Sequence, residues 1–160
     1  MKLIKGRTKR GERGQAVVEF AFILPIFLIV LFMVVEFGIG FSRWIVVTNA
    51  TREAARYAAV QNGDAGTIRT AVKNRAVVTS SGLLSPAGVT VNFVDGPDTN
   101  GTAGDRGDSV VVSASLNYPL LTPLGAFVSL ATGSITISGC ADMRLELGVN
   151  GAADDGVTRC

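Results

Sequence analysis

The sequence predicts an α+β fold, a long N-terminal helix packed on a small antiparallel sheet of about three strands, with a second short helix. Three observations carry this expectation. Sixteen residues from Phe20 to Val35 run without a charge. Small residues then recur at helical spacing as far as Ala59, and three later segments alternate apolar and polar side chains with a period of two.

The apolar run sets the first element. At helical rise its sixteen residues make roughly 24 Å, and Ala16 to Val18 and Phe37 to Phe41 extend it enough to span a hydrocarbon core of ~30 Å. Trp44 follows where an indole favours the membrane–water boundary. Ahead of the run stand Lys2, Lys5, Arg7, Lys9, Arg10 and Arg13 against Glu12 alone, so a chain of net charge +2 is basic at its N-terminus and acidic elsewhere. Basic residues stay on the cytoplasmic side, which predicts a single-pass protein with its N-terminus in the cytoplasm and its C-terminal part outside. A buried helix of a soluble domain would not need this cluster. A cleaved secretory signal would need a small-residue site after the run, and the helical pattern continues through Gly38 and Gly40.

A helical stalk extends the anchor to about Gln61, with Asn62-Gly63 as its stop. Ala50, Ala54 and Ala58 recur every four residues and form a ridge that another helix can approach closely. Two readings are open for this ridge: packing on the chain's own outer domain, or contact with neighbouring subunits. The second helix is expected from Thr67 to about Val78, with Ile68, Ala71, Val72 and Ala76 on one face.

The strands follow. Val89, Val91 and Phe93 face one way on the first; Val110, Val112, Ala114, Leu116 and Tyr118 do so on the second. Ile135, Ile137, Ala141, Met143, Leu145 and Leu147 do so on the third, interrupted by Gly139. Such alternation indicates one buried and one wet face, and the helices supply the cover. The loop Asp95 to Asp108 holds four aspartates and an asparagine, but it lacks the ligand order and closing glutamate of a calcium loop and reads as a solvated turn. Cys140 falls on the wet face and Cys160 ends the chain after a flexible-looking stretch. A disulfide between them would contribute about 3 kcal/mol in the chain-entropy model, and two unpaired thiols are the other reading.

Function classes narrow by exclusion. The chain has no histidine, and no nucleophile–base pair is evident, so an enzyme is not expected. Two cysteines without histidine cannot complete a structural zinc site, and no metal, cofactor or small-molecule substrate is expected. The basic character belongs to the N-terminus, so nucleic acid is not an expected partner.

Two carboxylates flank the apolar run. Glu36 ends it as a second membrane-edge carboxylate, and Glu19 precedes it. A carboxylate costs on the order of 2.5–3.5 kcal/mol at the bilayer centre and less at the edge. Glu19 therefore either snorkels to the cytoplasmic boundary or pairs with a specific cation.

The stretch Gly14-Gln15-Ala16-Val17-Val18-Glu19-Phe20 resembles the processing site of Flp-type (tight adherence) prepilins. With Pro25 inside the run, Glu36-Phe37-Gly38 at its end and the block Arg52 to Ala58, the segment from about Arg13 to Val60 resembles the TadE family of minor pilins or pseudopilins. The resemblance implies a pilin-like fold and cleavage by a prepilin peptidase after Gly14, leaving Gln15 as the new N-terminus and Glu19 as a partner for an α-amino group. Glu19 with Phe20 would then serve assembly. It implies as partners the membrane, the peptidase, other pilin-like subunits and inner-membrane pilus-assembly proteins. It also implies location in a bacterial cytoplasmic membrane, with incorporation into a cell-surface pilus as a further expectation.

The expected organisation is a basic leader over 1–14, cleaved; a transmembrane helix over 15–41; a helical stalk over 42–62; an extracytoplasmic α+β domain over 63–149; and a flexible tail over 150–160. The alternative function is a membrane-tethered binding or adhesion domain not incorporated in a filament.

Overall fold

The computed structural model of the chain describes residues 10–97, 100–123, 125 and 134–160. Most of the basic leader, residues 1–9, lies outside the described residues, as do Asp98 and Thr99 of the aspartate loop.

Helix α1 spans Arg10–Ala59, fifty residues or about 75 Å at helical rise, and runs through Pro25 without a break. It stops two residues earlier than Gln61. The Ala59 carbonyl accepts the Glu146 N–H at 2.9 Å, and the Gln61 N–H turns back to Ala58 O. A tertiary hydrogen bond thus takes the place of the next helical one.

Strand β1, Gly63–Asp64, pairs in parallel with β5, Val149–Asn150. Asp64 then caps helix α2, Ala65–Thr79, accepting the Thr67 N–H at 3.0 Å. The cap explains why α2 begins before Thr67. Its buried stripe is Ala65, Ile68, Val72 and Ala76, with Ala71 at the rim.

Strands β2, Val89–Val94, β3, Ser109–Tyr118, and β4, Ile135–Arg144, form an antiparallel sheet in the order β2-β3-β4. The register sets Phe93 opposite Val110 and Val112 opposite Ala141. Helix α1 packs against β3 and β4, and α2 packs against α1 and β2. The core between them includes Val47, Val72, Val89, Val91, Phe93, Val110 and Val112. A fully buried side chain of this size contributes about 1.5–3 kcal/mol each.

The expected three-strand pattern holds in the middle of β4 and fails at its ends. Ile137, Ala141 and Leu145 are buried, whereas Ile135 and Leu147 are exposed. At the far end the ladder is closed by a bulge. Gly107, at φ +107°, donates to Leu145 O, and the Leu145 N–H donates to Asp108 O. Two residues thus oppose one, and the positive φ requires glycine at the first.

Asp108 is more than a solvated turn residue. It is 1% exposed, and its carboxylate accepts the Gly96 and Asp105 N–H groups, each at 2.8 Å. It holds the aspartate loop on the sheet.

The C-terminal segment, expected to be flexible, is tied down instead. Asp155 exchanges hydrogen bonds with the Phe93 backbone and pairs with Arg69 at 2.7 Å. Arg159 donates to Asp95 O, and Cys160 forms a disulfide with Cys140 on β4. The segment therefore crosses the outer face of the sheet from β2 to β4, because its side chains find partners on both outer strands.

At Gly139 strand β4 lies close against α1. A Cβ there would lie 3.1 Å from Val47 Cγ1 and 3.3 Å from Thr48 Cα. Helix backbone cannot yield as a side-chain tip can. Gly139→Val is expected to destabilise the outer domain by about 1–3 kcal/mol in denaturant unfolding, while Ser138→Ala on the exposed face leaves it unchanged. Cys160→Ser is expected to cost about 3 kcal/mol in the same assay.

Candidate functional site

The part of α1 that carries the sequence motifs stands clear of the rest of the chain. Its most apolar eighteen-residue stretch buries nothing against the described residues, and the helix is long and apolar enough to cross a membrane. Phe22, Ile26 and Met33 are all more than half exposed, so no face is reserved for the protein's own core. An apolar surface on all sides is what a helix surrounded by lipid or by other helices requires.

At the start of this helix a Cβ on Gly14 would meet nothing within 4 Å. One turn on, Gln15 Nε2 donates to Glu19 Oε1 at 3.2 Å, and both side chains are exposed. Phe20 is 61% exposed beside them. The four motif residues thus share one accessible end of the molecule. Among the residues whose side chains are described, which begin at Gly14, no cation lies within ion-pair distance of Glu19.

Glu36 lies seventeen residues further along, about 25 Å at helical rise. It is the membrane-edge carboxylate of the sequence, and the structure gives it three partners. Tyr118 Oη donates to it at 2.7 Å, and the Leu121 and Thr122 N–H groups donate at 3.0 Å each. All three donors come from the end of β3 and the chain just beyond it. Hydrogen bonds to an ionised carboxylate are stronger than neutral ones, so this group fastens the base of the sheet to the helix.

Tyr118 is 2% exposed. The Arg43 guanidinium lies over its ring at 5.3 Å, and Gly40 leaves room for its edge. Burial first, and the Glu36 carboxylate second, push the Tyr118 hydroxyl up to about 12, with Arg43 opposing. Around this junction Met33, Phe37, Phe41, Trp44, Leu120 and Ile137 line an apolar hollow of about 530 Å³.

The alanine ridge is occupied within the molecule. Ala50, Ala54 and Ala58 are each fully buried in the core cluster, alongside Ala55, Val72 and Ile137. Of the two readings open for the ridge, packing on the chain's own outer domain is the one the structure shows. Among the described residues no group of three or more Cys, Asp or Glu side chains is placed to hold a metal ion.

The sequence singled out Gly14, Gln15, Glu19, Phe20 and Glu36, and the structure brings the first four together. It also adds Tyr118, Arg43 and Thr122 around Glu36. A tyrosine closing an apolar strand was the only sign of this junction in the sequence, because its partner lies 82 positions away.

Residues 14–56, about a quarter of the chain, match the family model described as TadE-like protein. The match starts at Gly14 and covers α1 almost to its end. No curated protein and no solved structure matches the chain.

The raised hydroxyl gives a direct check on the junction. Its neutral form is favoured by folding, so this contribution is intact below pH 10 and is lost as the pH rises through about 12. In an ultraviolet titration one of the two tyrosines is expected to ionise late. Glu36→Gln should bring that transition down, and Tyr118→Phe should abolish it.

Proposed function

With residues 14–56 TadE-like as the premise, we propose that this chain is a membrane-anchored minor pilin or pseudopilin that takes part in assembly of tight adherence (Flp-type) pili. The observation that carries the reading is the start of the family match at Gly14 on a helix whose apolar stretch is unburied by its own chain. The TadE-like family is a pilin-type structural family, which agrees with a role in assembly and not in catalysis.

The steps follow from the physical chemistry of that helix. The basic leader holds the N-terminus in the cytoplasm while the outer domain is exported, into a compartment that suits a disulfide. A prepilin peptidase then cuts after Gly14 and creates an α-amino group on Gln15. Glu19 lies one turn away from that residue and pairs with the amino group of a neighbouring subunit. Burying both charges as a pair costs far less than burying either alone.

The apolar surface from Val17 to Val35 is satisfied by lipid while the subunit waits in the membrane. In an assembly the same surface is covered by the helices of other pilin-like subunits, where packing replaces lipid contact. Inner-membrane assembly proteins would act on the chain between these two states.

Mass spectrometry of the protein from a host with the peptidase is expected to find a mature chain beginning at Gln15; an intact leader would contradict the proposal. Glu19→Ala is expected to be cleaved normally and to fail in assembly, with loss of the chain from sheared pili. Normal incorporation of that variant would remove the proposed charge pair.

A further inference from the structure

A hollow lies between α1 and the turn that ends α2. It encloses about 630 Å³ and is lined by Ser42 and Arg43 on one side and by Thr79, Ser81 and Leu83 on the other. Its height along the helix is informative. A hydrocarbon core takes about 20 helical residues, so a span that begins at Phe20 ends near Ile39. The hollow opens at the height where lipid headgroups would lie.

Arg43 brings a cation to this height without an anion to match it. The ion pairs among the described residues join Arg69 to Asp155, Arg75 to Glu53 and Arg159 to Asp142, and none includes Arg43. The nearby Glu36 carboxylate is taken by Tyr118, Leu121 and Thr122. The Arg43 guanidinium lies over the Tyr118 ring at 5.3 Å, and its N–H donors have no hydrogen-bond partner among the described residues.

The hydroxyls complete the environment. Ser42, Thr79 and Ser81 are exposed, and their Oγ atoms have no hydrogen-bond partner among the described residues. The end of α2 would ordinarily repel an anion through its free carbonyls. Here Ala76, Val77 and Val78 carbonyls are already taken by the Ser80, Gly82 and Ser81 N–H groups.

We infer that Arg43, with the hydroxyls of Ser42, Thr79 and Ser81, binds the phosphate of an anionic phospholipid at the outer surface of the membrane. The inference rests on the membrane-anchored reading of α1. Its consequence is a fixed depth and rotation for the outer domain. The guanidinium is immobilised by Tyr118, and Tyr118 is held by Glu36, so a bound headgroup would be tied to the base of the sheet.

Trp44 is the chain's one tryptophan and follows Arg43 on α1 at the same height in the membrane, which makes it the reporter. The full chain is placed in nanodiscs of phosphatidylcholine and phosphatidylglycerol in equal parts, with brominated acyl chains on one lipid or the other. Brominated phosphatidylglycerol is expected to quench Trp44 as if enriched about fivefold, the effect of one basic side chain at an anionic surface. Arg43→Gln should equalise the two lipids, Arg43→Lys should retain part of the preference, and Ser81→Ala should reduce it. Equal quenching in the unmodified chain, or a preference that survives Arg43→Gln, would overturn the site. Quenching by neither lipid would overturn the membrane reading beneath it, and so the two failures are distinguishable.

Discussion

One helix serves two surroundings, and the rest of the structure follows from how it passes between them. Below Glu36, α1 presents apolar side chains in every direction and depends on something outside the chain to cover them. Above Val46 the same helix becomes a wall of a protein core, with Val47, Ala50, Ala54 and Ala58 fully buried. The change takes place within about three turns. Glu36 lies at the start of that interval, where its carboxylate collects Tyr118, Leu121 and Thr122 and anchors the end of β3.

The two halves ask for different side chains. Where the helix meets lipid, bulky Phe, Ile and Leu maximise apolar surface. Where it meets β4 and α2, small residues let backbones approach, and Gly139 on the strand answers the alanines on the helix. The outer domain is small, and part of its rigidity comes from beyond its core. Asp108 inside its loop, the segment Asp155–Cys160 across the outer face and the Cys140–Cys160 disulfide each fix backbone that a core of this size would leave loose.

Much of this was legible in the sequence because its signals are local. A charge-free run, a basic flank and a glycine–glutamate spacing need only neighbouring residues to be read. Period-two alternation located the three strands, and the end of α1 and both limits of α2 fell within two residues of those observed, whereas α1 begins at Arg10, five residues before the expected Gln15. What stayed hidden depends on partners distant in sequence. Glu36 read as a membrane-edge carboxylate because Tyr118 is 82 positions away. Asp108 read as solvated because its acceptors' partners, Gly96 and Asp105, are placed by the fold. The residues after Asn150 are rich in glycine and aspartate, a composition that suits a flexible tail, yet Arg69 and the Phe93 backbone capture Asp155. The parallel pairing of Gly63–Asp64 with Val149–Asn150 had no pattern at all, since two residues carry no period.

The account depends most on α1 being continuous from the membrane into the core, through Pro25 and past Gly38 and Gly40. Spin labels introduced at Phe22 and Arg52, both exposed on the helix, test this directly by pulsed dipolar spectroscopy on the full chain in nanodiscs. Thirty residues of unbroken helix set them about 45 Å apart, and a single narrow distribution near that distance is expected. A broad or markedly shorter distribution would mean that the anchor and the outer domain are hinged, and that the Glu36 junction does not join them into one body.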